Sequence, residues 1–377
     1  MKVNDIKELA GFTSPHGLCV SLFLNIDKKH LDSHDIDSTL NHLINEEEKN
    51  LSAGHDSAKH LRNDFGRIRE FIKNLDTGNN RGLAIFTCAE ADYFKVFYLT
   101  REVENRITFS QKFLIRPLVR YLDDNSKILA VFTDRKRARL VEMDEGEIKR
   151  FIEFEDDVPK QVKAGSHYGL ADKRIERHVE WHVHNHFKKV AEMTLDLLFE
   201  DGYEWLFIYT QPDDIKEFEG LLHSYTKRKV AFEKQVDLME AKKERYLNEI
   251  LDSLKKVEEE KHSELNDELF EAFPHRAVLG VMDVTYELKR KSVFKLVLSN
   301  RFSNIWPVCG NCDYRLHNEL ICSNCGANMS FADWETNFLI IDALKQDGEV
   351  HFIDSDSLDK KGGIGAILRY EAYKQVS

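Results

Sequence analysis

The stretch that most constrains the fold is "CGNCDYRLHNELICSNCG", residues 309–326. Cys309 and Cys312 are two residues apart, as are Cys322 and Cys325, and nine residues separate the pairs. Two such knuckles can bring four soft thiolates to the corners of a tetrahedron, with Gly310 and Gly326 permitting the tight turns. The spacing predicts a zinc ribbon over residues 306–329 that holds Zn2+ through Cys309, Cys312, Cys322 and Cys325. Four thiolates close the coordination sphere, so the metal is expected to be structural, with His317 a spare ligand ranked below the cysteines. A reduced redox pair, or two chance pairs, is the competing reading. Cys19 and Cys88 stand alone inside apolar, strand-like runs and read as small buried hydrophobes rather than half-cystines.

A chain of 377 residues is too long for one compact domain of ordinary size. Its hydrophobic content of 42% excludes disorder as the default state. The net charge of −12, from 66 acidic against 54 basic side chains, argues against a duplex-DNA coat or a membrane-surface binder. Local basic patches for RNA stay open. The opening "MKVNDIKELAGF" lacks the apolar core of a signal peptide, and no apolar run approaches the roughly 18–20 residues of a membrane span. A cytoplasmic protein without membrane or DNA partners is the expectation.

Patterning divides the chain into three α/β parts. The strand "LCVSLFLNI" (18–26), amphipathic helices over about 36–51 and 57–75, and the alternating runs "GLAIFTC" and "YFKVFYL" form the first, residues 1–122. From 127, "KILAVFTDRKRARLVEMDEGEIKRFIEF" reads as three strands, with "DEG" turning the second into the third. A long helix, the buried strand "EWLFIYT", a helix in "PDDIKEFEGLLHSY" and another over about 233–260 complete residues 123–265. Residues 266–377 carry the strands "FKLVLSN" and "EVHFID", the cysteine cluster and a glycine-containing end. The glycines of "KKGGIGAILRY" (360–370) have neither the phosphate-loop Lys-Ser/Thr nor the dinucleotide spacing, and read as a turn into a last strand.

The long helix lies in "KAGSHYGLADKRIERHVEWHVHNHFKKVAE" (163–192). His178, His182 and His186 recur at i, i+4 and i+8, with Arg174 and Lys189 extending their stripe, while His184 points elsewhere. Ile175, Val179, Val183, Phe187 and Val190 form the adjacent apolar seam. Three readings of the histidines compete: packing and surface decoration, a docking surface, or a metal or catalytic cluster. "GSHYG" superficially approaches a nucleophile elbow, but its central residue is His167 where the elbow needs serine.

Taken together, "ILAVFTDRKRARLVEMDEGEI", "HNHFKKVAE", "AVLGVMDVTYELKRKSVFKLVLSN" and "GGIGAILRY" resemble, in collinear order, the central and C-terminal domains of archaeo-eukaryotic peptide-chain release factors over about residues 125–377. The resemblance is to the divergent bacterial branches of that superfamily, and secondarily to Pelota. It implies an α/β, three-domain, tRNA-mimic-like chain with a C-terminal α/β/α sandwich carrying the zinc ribbon. It also implies a ribosomal partner, through rRNA or peptidyl-tRNA, and a translational GTPase or recycling ATPase on the C-terminal domain. Two departures matter. Where the family carries Gly-Gly-Gln, this chain has "AGSHYGLADKR", and residues 1–122 show no stop-codon-reading motif of the NIKS or YxCxxxF kind. The expectation is a ribosome-binding factor for stalled or idle ribosomes that does not catalyse peptide release. RNA docking is placed on Arg174, Arg177, His178, His182, His186, Lys188 and Lys189. The alternative is a peptidyl-tRNA hydrolase with His167 as general base.

Overall fold

The computed structural model describes residues 1, 3–14, 18–27, 33–50, 57–78, 80–124, 126–144, 146–159, 169–236, 241–302, 308–309, 326, 329–330 and 334–372. They divide into two compact units, Asp124–Ser263 and a second made of Met1–Asp123 with Glu264–Ser377.

The N-terminal segment contains α1 (Val3–Gly11), β1 (Cys19–Asn25), α2 (Ser33–Asn50), α3 (Ser57–Lys73), β2 (Gly82–Cys88), β3 (Tyr93–Leu99), β4 (Arg106–Ser110) and α4 (Arg116–Asp123). The strands form an antiparallel sheet in the order β3-β2-β1-β4, with Leu22 opposite both Ile85 and Ile107. Side chains alternate across a strand. Val20, Leu22 and Leu24 therefore pack with Ile36, Leu40, Phe65 and Ile68 of α2 and α3. Cys19, Phe23, Phe86 and Cys88 share a separate core with residues of the C-terminal segment. Both cysteines are free and buried, as their apolar surroundings predict.

The central unit runs β5 (Ile128–Thr133), β6 (Arg137–Asp144), β7 (Glu147–Glu155), α5 (Gly169–Asp201), β8 (Trp205–Thr210), α6 (Ile215–Leu221), α7 (Ser224–Lys227), β9 (Val230–Gln235) and the part of α8 (Lys243–Ala272) up to Ser263. Its sheet has the order β7-β6-β5-β8-β9. β6 pairs antiparallel with β5 and β7, while β8 is parallel to β5 and β9. Gly146, with φ of 78°, makes the expected turn between β6 and β7. One face of the sheet packs on α5 and α6 through Leu129, Val131, Leu206, Ile208, Val183 and Phe218. Ile128, Ala130, Phe132, Phe207 and Tyr209 pack with Tyr246, Ile250 and Leu254 of α8. The helix expected from 233 starts at Lys243, because Val230–Gln235 pairs with β8 as an edge strand. The strand's half-exposed positions weaken the alternating signal that marks a strand in sequence.

The last segment holds β10 (Ala277–Leu279), α9 (Val281–Lys289), β11 (Val293–Ser299), β12 (Val308–Cys309), β13 (Met329–Ser330), α10 (Trp334–Lys345), β14 (Glu349–Ile353), α11 (Asp356–Asp359) and β15 (Ile364–Leu368). The sheet order is β10-β15-β11-β14. The glycine run does form a turn into the last strand. Gly362 and Gly363 have φ of 98° and 71°, and a Cβ on Gly365 would stand 2.8 Å from Leu269 Cδ2. β12 pairs with β13, with Cys309 opposite Met329. Apart from that strand pairing, the four-cysteine site lies outside the described residues, as does His167.

The two segments of the discontinuous unit share one core, in which Phe23, Phe86 and Phe113 lie with Leu288, Phe338 and Leu344. Asn337 of α10, fully buried, joins them. Its Oδ1 accepts from Ile115 N at 2.8 Å and Arg116 N at 3.1 Å, and its Nδ2 donates to Phe113 O at 3.0 Å. Ile115, which precedes α4, has no side chain that could cap the helix, so α10 supplies the cap from elsewhere in the chain. At the other end of α4, Asp123 accepts from Phe352 N at 2.7 Å and lies 3.1 Å from His351 Nδ1.

Candidate nucleic-acid interface

Helix α5 is held by the apolar seam read from its sequence, with one change. Val179, Val183, Phe187 and Val190 are buried, whereas Ile175 is 39% exposed. From Arg174 to His178 every side chain is exposed. The seam therefore begins at Val179, and the preceding turns carry the cations outward without core packing.

The histidine stripe divides in the structure. His178 is exposed, and its ring centroid lies 4.7 Å from that of the half-buried His182. His184 Nδ1 is 3.4 Å from Glu217 of α6. His186 departs from the docking reading, since it is 1% exposed and engaged on both ring nitrogens. Its Nδ1 lies 2.7 Å from Asp156 Oδ2 and its Nε2 3.3 Å from Thr133 Oγ1. An ionised Asp156 can only accept, which makes Nδ1 the donor. Lys189 donates to the other Asp156 oxygen at 2.8 Å and sits 4.8 Å from the Phe154 ring centroid. Burial pushes the Asp156 carboxyl up, but the hydrogen bonds from Lys189 and His186 outweigh it and hold the group below the usual carboxylate range.

These contacts fasten the end of β7 to the middle of α5. From His186 back to Arg174 the helix rises about 18 Å. Near its exposed part, Glu180 pairs with Arg135, whose guanidinium also lies 4.0 Å from buried Asp214. Burial pushes the Asp214 carboxyl up, against the pull of Arg135. Thr133, His186 and Asp156 have the order of a hydroxyl–imidazole–carboxylate relay. Thr133 and His186 are both buried, however, and the Thr133 hydroxyl lies within 3.2 Å of the carbonyls of Asp134 and Arg137. The arrangement anchors the helix rather than presenting a nucleophile.

Of the seven residues assigned to docking, Arg174, Arg177, His178 and Lys188 face outward. Lys188 lies 4.0 Å from Glu192, and Lys189 is engaged by Asp156. Among the described residues, no group of three or more His, Cys, Asp or Glu side chains is placed to hold a metal ion. Among them too, no helix is long and apolar enough to cross a membrane. Sequence reasoning missed Asp156 and Thr133, which belong to other elements and meet His186 only in the fold. It also passed over Trp181, the one aromatic residue off the seam between Arg174 and Lys188.

The central segment is similar to archaeo-eukaryotic release factors. Residues 114–259 match the family described as bacterial archaeo-eukaryotic release factor family 10. Among curated proteins nothing matches. Similar solved structures include an archaeal translation termination factor, at 17% identity over 98% of this chain and 99% of that one, with a TM-score of 0.27. Dom34 of Saccharomyces cerevisiae, a translation termination-like factor, is 13% identical over 76% of this chain and 80% of its own, with a TM-score of 0.41. Pelota of Archaeoglobus fulgidus is 13% identical over 78% and 80%, with a TM-score of 0.33.

Proposed function

We propose that this protein binds stalled or idle ribosomes through the outward face of α5 and does not itself release peptide. The observation that carries the reading is a conjunction. Residues 114–259 match a release-factor family, yet "KAGSHYGLADK" (163–173) offers neither paired glycines nor a glutamine where peptide release needs them. Release depends on a flexible loop whose backbone and glutamine position the attacking water. A chain that keeps the scaffold without that loop keeps the means of binding and lacks the means of hydrolysis. Exposed Arg174, Arg177 and Lys188 supply cations for phosphate contact.

A translational GTPase or recycling ATPase is the partner proposed for the C-terminal segment. Among similar proteins, Dom34 is described as interacting with Hbs1, and an archaeal Pelota as bound to the ribosome with ABCE1. The four cysteines are proposed to hold a structural zinc.

Sedimentation with ribosomes across a salt series tests the binding. The expected result is association that weakens steeply with salt, and further with Arg174→Glu/Arg177→Glu. Release from ribosomes carrying peptidyl-tRNA tests the chemistry, with none expected at any codon. Release abolished by His167→Ala would establish the hydrolase instead. Absence of both release and sedimentation at low salt would refute a ribosomal role.

A further inference from the structure

Directly opposite the buried seam of α5, Trp181 stands 60% exposed, its ring meeting His182 edge-on at 4.9 Å between centroids. At about 100° per residue, Arg174, Arg177, His178, Trp181, Asn185 and Lys188 fall within an arc of about 100°. All six are exposed. The acids between Arg174 and Lys188 are Glu176 and Glu180, and both lie off this arc, Glu180 turned to Arg135. A chain of net charge −12 thus presents a cationic stripe with an indole at its middle.

Folding does not account for that indole, because an aromatic side chain stabilises a protein by being buried, and this one points away from its core. A protein partner would call for a wider apolar patch than one ring among cations and imidazoles. The surface has instead the chemistry of single-strand recognition. A flat π-face takes a base, and cations a turn to either side take the flanking phosphates.

We infer that Trp181 is a stacking platform for an unpaired RNA base, flanked by phosphate contacts to Arg174, Arg177 and Lys188. The inference rests on the docking reading above and assigns its chemical target, an unstacked nucleotide rather than a duplex, whose bases are already stacked on one another.

The test uses the full-length protein and fluorescence anisotropy with three labelled probes. They are a single-stranded oligoadenylate of about 12 nucleotides, the same strand with abasic central positions, and an RNA duplex. Trp181→Ala is expected to weaken single-strand binding about 5- to 100-fold, with Trp181→Phe restoring most of it. The salt dependence should be unchanged in Trp181→Ala and shallower in Arg174→Glu/Arg177→Glu. The abasic strand should bind the native protein as weakly as Trp181→Ala binds the intact one, with no further loss when the two are combined. Equal binding of Trp181→Ala and native protein to the intact strand overturns stacking, as does an equal loss on intact and abasic strands. If Trp181→Ala binds RNA normally while the native protein sediments with ribosomes, stacking alone has failed. If the native protein binds no probe at low salt, the docking reading fails with it.

Discussion

Replacing Asn337 by alanine should unfasten the N-terminal from the C-terminal segment of the discontinuous unit. The side chain is fully buried and makes three hydrogen bonds, two accepted from the amides of Ile115 and Arg116 and one donated to the carbonyl of Phe113. Alanine leaves two N–H groups and one carbonyl without partners. Each orphaned buried group costs roughly 1–3 kcal/mol, and partial relaxation or an entering water lowers the sum, so a loss of about 3–5 kcal/mol is expected. Against a total of about 5–15 kcal/mol for an ordinary domain, that is a large fraction. The effect should be confined to one unit. Hydrogen exchange read by mass spectrometry in a urea series should show protection falling together in peptides covering residues 19–25, 116–123 and 338–344. Peptides from 128–133 and 205–210 should keep theirs. Lys7→Ala, which removes an exposed contact to Asp347 between the same segments, should leave the midpoint unchanged. A loss below about 1 kcal/mol, or one confined to residues 1–123, would refute the shared-core argument.

Asp156 has a depressed carboxyl pKa in the fold, so its contribution to the central unit is complete above the ordinary carboxylate range and is lost as pH falls through the folded value. Acid unfolding of that unit should become shallower in Asp156→Asn, measured by near-ultraviolet circular dichroism between about pH 6 and 2; an unchanged profile would count against the clasp. Elemental analysis of protein purified without chelators should find one zinc per chain, reduced in Cys312→Ser, and a metal-free native protein would end the zinc proposal. Proteolytic nicking between Asp123 and Ile128 should leave residues 1–123 bound to the remainder on size exclusion, because both segments share a core; their separation would contradict it.

Much of the secondary structure was legible because its signals are local. The strands at 19–25, 82–88 and 93–99 alternate or are wholly apolar between breakers, and α5 announces itself through Val179, Val183, Phe187 and Val190. Val230–Gln235 was misread because an edge strand half open to solvent lacks the pattern that burial on one face imposes. The burial of His186 was illegible for another reason. Helical periodicity puts it one position from the seam, and only the arrival of Asp156 and Thr133 from two strands decides that it turns inward. The joining of the two ends of the chain was equally hidden, since no sequence pattern says that Asn337 caps a helix 222 positions earlier. Trp181 was visible throughout, as the residue seven after Arg174. What gives it meaning is its exposure, which is a property of the fold.

The discontinuous unit also sets a timetable. A chain is made from its N-terminus, and Phe23, Phe86 and Phe97 emerge long before Leu288, Phe338 and Leu344, which they pack against. At roughly 5–20 residues per second, the stretch from Asp124 to Ser377 takes about 10 to 50 s to synthesise. Throughout that interval the nascent chain carries one uncovered aromatic sheet face while the central unit can already fold behind it. A chain that stopped at Ser263 would have a finished middle and an unfinished beginning, a natural client for chaperones and proteases.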